Sequence, residues 1–127
     1  MIKVYQIQLT DLEITIANSG GTSPRLKAYF DRSFESTFDP ISFEHYTHVA
    51  NVDVNDMEDA FEAMNLWEES IYFEDIFKLG RCSSMSVGDI LELEDGSKYR
   101  CASFGFERLE NYIKFTDVEK SCDFVAL

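Results

Sequence analysis

The stretch from Ile90 to Cys101 constrains the fold more than any other. Ile90-Leu91-Glu92-Leu93 and Lys98-Tyr99-Arg100-Cys101 flank Glu94-Asp95-Gly96-Ser97. Two such runs around an Asp-Gly pair read as a β-hairpin. A two-residue Asp95-Gly96 turn would set Leu93 against Lys98 and Leu91 against Arg100, with cations beside leucines. A three-residue loop, Glu94-Asp95-Gly96, instead pairs Leu91 with Tyr99 and Glu92 with Lys98, and gives Gly96 the left-handed bulge position. One face is then apolar and the other carries an ion pair. The three-residue loop is therefore expected, and with it an antiparallel sheet.

Other elements can be placed around this hairpin. Val4, Ile7 and Leu9, between Lys3, Gln6 and Gln8, mark a first strand. Thr10-Asp11-Leu12-Glu13 is a capping box, in which the Thr10 hydroxyl accepts from the Glu13 amide while Glu13 reaches back. It opens a short helix over 11–17. Ser23-Pro24 reads as an N-cap followed by proline at the first helical position, and Leu26, Tyr29, Phe30 and Phe34 recur at helical spacing over 24–34. After the Asp39-Pro40 turn, residues 43–52 form a strand. Asp53 is the expected cap of the next helix, with Asp56 at its third position and Met57, Ala60, Phe61 and Met64 as the apolar stripe. Residues 66–80 keep no single period; a short helix over 71–79, ending at Gly80, is the expectation. Ser83 to Asp89 is a turn into the hairpin, and Tyr112, Ile113 and Phe115 form a last strand or extended tail. The expected fold is α+β: one domain over residues 1–127, with a small, mainly antiparallel sheet and two or three short helices. A chain of 127 residues buries enough surface to need no disulfide or metal staple.

Charge narrows the function classes. Asp and Glu total 24 against 11 Lys and Arg, a net charge of −13. That argues against direct binding of nucleic acid, which needs a basic footprint, and against anionic membranes. No apolar run is long enough to span a bilayer. Three cysteines without a C-x-x-C pair, and no signal-peptide pattern after Met1, point to the cytoplasm. P-loop, G-x-G-x-x-G and G-x-S-x-G motifs are absent from the sequence, so no cofactor and no catalytic residue is expected. His45 and His48 on a strand would point to opposite faces, which argues against a shared metal. The segment Asp53 to Glu58 imitates a calcium loop, but Glu58 stands where the turn needs glycine and Met64 where a bidentate Glu is required.

The sharpest feature is a run without cations. From Ser33 to Phe77 there is no Lys or Arg in 45 residues, and the same run holds 12 of the 24 acids. Asp53, Asp56, Glu58, Asp59, Glu62, Glu68, Glu69, Glu74 and Asp75 are interleaved with Trp67, Tyr72 and Phe73. Unpaired carboxylates with exposed aromatics suit docking to a basic protein: charge steers the encounter and desolvated rings anchor it. Carboxylates spaced like phosphates can also occupy a nucleic-acid-binding groove. These twelve residues are the expected partner-binding set. The competing account is a solvated acidic face over aromatics that build the core.

Val4-Tyr5-Gln6-Ile7-Gln8-Leu9-Thr10-Asp11, the run Ser84-Met85-Ser86-Val87-Gly88-Asp89-Ile90-Leu91 with Asp95-Gly96 and Tyr99, and Phe104-Gly105-Phe106 carry a resemblance. In these stretches, and in the Tyr46-to-Asn51 strand with the capped helix after it, the chain resembles small accessory proteins of bacteriophages and mobile elements, YodL-like in pattern. The resemblance covers about half of the chain, in patches. Its motifs are structural, so it transfers no catalytic residue. It implies a setting in which counter-defence functions are common. The expected function is a non-enzymatic phage-type inhibitor that binds a host nucleic-acid-handling protein of the restriction, BREX or CRISPR kind, by DNA mimicry through its acids. A structural or regulatory phage module acting through homo-oligomerisation, with a homodimer as one form, is the alternative, and a small carboxylate- or metal-dependent enzyme the third.

Overall fold

The computed structural model describes residues 1–32 and 40–109. Six antiparallel strands form one sheet: β1 (Ile2–Ile7), β2 (Tyr46–Val52), β3 (Ile76–Lys78), β4 (Ile90–Glu92), β5 (Lys98–Cys101) and β6 (Phe106–Arg108). Among the described residues their order is β3-β2-β1-β4-β5-β6, with β1 inside the sheet and β3 and β6 at its edges. Three helices, α1 (Asp11–Asn18), α2 (Pro24–Asp31) and α3 (Met57–Leu66), complete an α+β fold. The expected class is the observed one. The expected tail strand at Tyr112 to Phe115 lies outside the described residues.

The hairpin adopts the register that side-chain chemistry favours. Leu91 pairs with Tyr99 and Glu92 with Lys98. The Leu93 N–H donates to the Ser97 carbonyl at 2.9 Å, and Gly96 closes the loop at φ +89°. Lys98 Nζ lies 3.8 Å from Glu92 Oε1, which also accepts from the Tyr5 hydroxyl at 2.8 Å.

The core forms where α3 lies on one face of the sheet. Ile2, Val4, Ala50, Val52 and Leu91 meet Ala60, Ala63 and Met64 of α3, all essentially without solvent contact. Each large aliphatic side chain so buried contributes about 1.5–3 kcal/mol relative to exposure. The register of β1 on β2 shifts after Val4, which pairs with Ala50 while Tyr5 pairs with His48. Val49 is the extra residue of this bulge, and it is buried along with its neighbour Ala50. On the opposite face Ile90 and Leu109 pack with Tyr5, Phe43 and Tyr46.

Both helix starts read from Thr10 and Ser23 are present. Glu13 N–H donates to Thr10 Oγ1 at 3.1 Å while Thr10 N–H donates to Glu13 Oε1 at 2.8 Å. Ser23 Oγ accepts from Leu26 N–H at 3.2 Å, with Pro24 in the first turn. α1 buries no residue, so its cap and local hydrogen bonds hold it rather than the core.

Four expectations are corrected. The cap of α3 is Asp56, whose Oδ1 accepts from Asp59 N–H at 2.9 Å. Asp53 is instead committed to the sheet, its N–H donating to the Asp75 carbonyl at 2.9 Å. The segment read as a helix over 71–79 is a 3-10 turn, Phe73–Asp75, followed by β3. Ser70 Oγ takes the Tyr72 N–H, and Ile76 to Lys78 pair with Val52 to Ala50, where they satisfy the outer backbone of β2. The strand expected over 43–52 starts at Tyr46, because Pro40–His45 is 3-10 helical. His45 therefore lies before the strand rather than on it. The helix expected over 24–34 is Pro24–Asp31 with Arg32 as its C-cap, and residues 33 and 34 of that expectation lie outside the described residues.

A buried polar knot ties β1 to the turn before β4. Gln6 Nε2 donates to the Ser83 carbonyl at 2.9 Å and to Asp89 Oδ2 at 3.1 Å, and Ser86 N–H donates to the same oxygen at 3.0 Å. Burial pushes the Asp89 carboxyl up to about 6, against the opposing pull of Ser86 N–H, Arg32 and Gln6. Among the described residues no helix is long and apolar enough to cross a membrane.

Candidate functional site

The later part of the cation-free run forms a continuous stretch of structure from α3 to Phe77 in β3. α3 ends at Leu66, and Trp67 turns the chain with φ +50° and ψ −120°. A left-handed φ at a bulky residue costs about 1–3 kcal/mol and persists only where packing enforces it. Here the half-buried Trp67 ring packs on the core, and its Nε1 donates to Ser84 Oγ at 3.3 Å. A 3-10 turn over Trp67–Glu69, the buried Ser70 and the turn over Phe73–Asp75 then carry the chain into β3.

These tight turns leave a groove of about 610 Å³ lined by Trp67, Glu68, Phe73, Glu74, Ile76 and Lys78. Phe73 is 43% exposed, while Tyr72 and Ile76 pack half-buried against the core. Lys78 Nζ stands 5.6 Å from the centre of the Trp67 ring. The groove thus has an aromatic and aliphatic floor, two carboxylates at its rim and a lysine already within reach of its tryptophan. Such a lining suits a cation with an apolar stem, which can stack on Trp67 and pair with Glu68 or Glu74.

The other acids divide by position. Asp59, Glu62 and Asp56 lie near enough to the Tyr72 hydroxyl for their charges to act on it. Desolvation, and then the negative charge of Asp59, hold its proton above the usual tyrosine range. Glu58 projects the other way and joins Phe61 at a second cavity of about 340 Å³ beside the Cys101–Phe106 turn. Glu69 is exposed, Asp53 is exposed at the end of β2, and Asp75 is half-buried where its carbonyl receives the Asp53 N–H. Of the twelve expected residues, Trp67, Glu68, Phe73 and Glu74 share the groove, and Tyr72 with Asp56, Asp59 and Glu62 forms its neighbour. Two groove residues, Ile76 and Lys78, escaped the sequence reading. Three residues, two of them apolar and with no polar alternation, carry too little local signal to mark a strand.

Other chemistry is sparsely provided. Among the described residues no group of three or more His, Cys, Asp or Glu is placed to hold a metal. His48 Nε2 lies 2.8 Å from Asn51 Oδ1 and its ring stacks on Tyr5. Burial raises the Cys82 thiol, and raises Cys101 to about 11. Neither is an activated thiolate at neutral pH.

Comparison with protein-family models, with curated protein sequences and with solved structures finds no match to this chain. Fold and groove together define a small α+β domain with an acidic, aromatic groove beside one edge of its sheet.

Proposed function

We propose that this protein is a non-enzymatic binding module. It docks through the surface from α3 to β3 onto the basic face of a nucleic-acid-handling protein and blocks that face. The observation that carries the reading is the groove itself, where Glu68 and Glu74 rim a floor of Trp67, Phe73 and Ile76. Carboxylates beside desolvated rings provide both steering and an anchor. The phage-type setting, and host defence machines of the restriction, BREX or CRISPR kind as targets, follow from the YodL-like resemblance. Phosphate-like spacing of the acids would make the blockade a form of DNA mimicry.

The test is capture from bacterial lysate by the wild type and by the variant Glu68→Lys/Glu69→Lys/Glu74→Lys, whose three sites are exposed. The expected result is one stoichiometric DNA-handling protein that the wild type retains, duplex DNA displaces and the variant fails to hold. Equal capture by both proteins would refute docking through this face.

A further inference from the structure

We propose that the outer edge of β3 receives an extended segment of the basic partner as a seventh strand, with alternate cationic side chains seated in the Trp67–Phe73 groove. This rests on the reading of the acidic face as the docking surface and names the form of what docks there.

The backbone phase of β3 supports an added strand. Leu79 N–H donates to the Val49 carbonyl at 2.8 Å, and Asp53 N–H donates to the Asp75 carbonyl at 2.9 Å. Asp75, Phe77 and Leu79 thus turn their backbone groups toward β2, and Ile76 and Lys78 turn theirs outward. The Ile76 N–H is taken by the Phe73 carbonyl. The Ile76 carbonyl and both backbone groups of Lys78 have no backbone partner among the described residues, because β3 is an edge. An unpaired strand edge is a ready template for a further strand.

Side-chain geometry then dictates the occupant. Residues directly opposite Ile76 and Lys78 project to the same face as those two, which is the groove face. There they meet Trp67 and Phe73 between Glu68 and Glu74. Arginine fits this place best: its planar guanidinium can share the Trp67 face with Lys78, and Glu68 and Glu74 together outweigh the single charge of Lys78. The intervening residues project to the other face beside Phe77, which is 48% exposed, so they are apolar. The expected segment therefore alternates basic and apolar residues. A second copy of this chain is disfavoured, because it would bring its own Glu68 and Glu74 against these.

Trp67 is the one tryptophan of the chain and reports on the groove directly. The probe is the peptide acetyl-Arg-Val-Arg-Val-Arg-Val-amide, followed by Trp67 fluorescence and by titration calorimetry with the intact protein. Saturable binding is expected. Methylation of each arginine backbone nitrogen, which keeps every side chain but removes the ladder donors, should weaken it at least tenfold. Lys78→Pro, which removes an outward N–H and no bond to β2, should do the same without lowering the melting temperature. The Glu-Val analogue should not bind. Equal affinity of the methylated peptide would overturn the added strand and leave charge docking intact. Failure of the Arg-Val peptide, with capture of a DNA-handling protein still sensitive to reversal of Glu68, Glu69 and Glu74, would overturn the edge site alone. A wild-type dimer dissolved by Lys78→Pro would overturn the choice of occupant.

Discussion

Asp89 makes the stability of this fold fall as pH rises. The residue is 3% exposed, and its carboxyl titrates near 6 rather than at its ordinary 3.8. Its Oδ2 accepts from Gln6 Nε2 and Ser86 N–H, but Arg32 Nε is 3.9 Å from Oδ1, too far for a hydrogen bond. Desolvation therefore outweighs these partners. Between the two pKa values the folded protein holds a proton that the unfolded chain has released. Unfolding free energy then drops with rising pH, by at most about 1.4 kcal/mol per pH unit. Integrated from pH 4 to pH 7, the loss from this one carboxyl is about 2.5 kcal/mol, and it levels off above the folded pKa. Urea unfolding of the wild type and of Asp89→Asn over this range measures it. The asparagine carbonyl can keep both acceptor contacts and carries no charge. Repulsion among the exposed acids grows equally in both proteins and cancels in the difference. The wild type should lose about 2.5 kcal/mol relative to the variant between pH 4 and pH 7. A difference that stays flat, or moves in favour of the wild type as pH rises, would refute the assignment of Asp89 as a carboxyl destabilised by burial.

Other substitutions test the packing and the caps. Gly88→Ala places a Cβ 2.5 Å from Arg32 Cγ and 2.8 Å from Arg32 O at φ +96°. It should cost about 2 kcal/mol or more by urea midpoint, whereas Gly96→Ala, in open space, should cost only about 1. Thr10→Ala removes a cap worth about 1 kcal/mol. Because α1 buries no residue, hydrogen exchange should quicken in α1 while the global melting temperature barely moves. Leu91→Ala empties a fully buried site of β4 in the core shared with β1, β2 and α3 and should cost about 2–5 kcal/mol in the same urea assay. In peptide mapping after iodoacetamide treatment, half-buried Cys82 should be alkylated before buried Cys101.

Local chemistry was legible where neighbouring residues settle it among themselves. The Thr10–Glu13 box, the Ser23 cap and the three-residue hairpin loop each depend on partners a few positions apart. Face pairing of Leu91 with Tyr99 decided the register before any tertiary contact was needed. The misreadings arose where distant partners decide. Asp53 looks like a cap until the Asp75 carbonyl, just ahead of β3, takes its N–H. Ile76 to Lys78 are strand only because β2 offers them a ladder, and nothing within 66–80 announces that partner. The site divided in the same way. The acids and rings of the cation-free run were visible as a list, but which of them meet depends on the turn at Trp67 and on the direction of α3. Glu58 and Asp59 are neighbours in sequence and lie at different surfaces.

The position of β3 gives the cation-free run a second consequence. β3 is an unpaired edge among the described residues, and Phe77 on it and Leu79 just past it are exposed, so its three-residue length is only part of what keeps it from pairing with its own copies. Proteins commonly blunt such an edge with charge. Here the blunting charge lies on the turns beside the strand, in Glu68, Glu69 and Glu74, with Lys78 the one cation on β3 itself. Two copies approaching edge to edge would each bring these carboxylates, and the repulsion acts before any backbone bond can form. A basic segment meets the opposite condition at the same backbone groups. One distribution of charge thus guards the edge against self-association and opens it to a cationic strand. Replacing Glu68, Glu69 and Glu74 with Lys should therefore do two things together: abolish capture of the basic partner and promote mixed dimers with the wild-type chain. Light scattering of a one-to-one mixture reads the second effect. If the mixture stays monomeric while each protein alone does too, charge is not what keeps this edge unpaired.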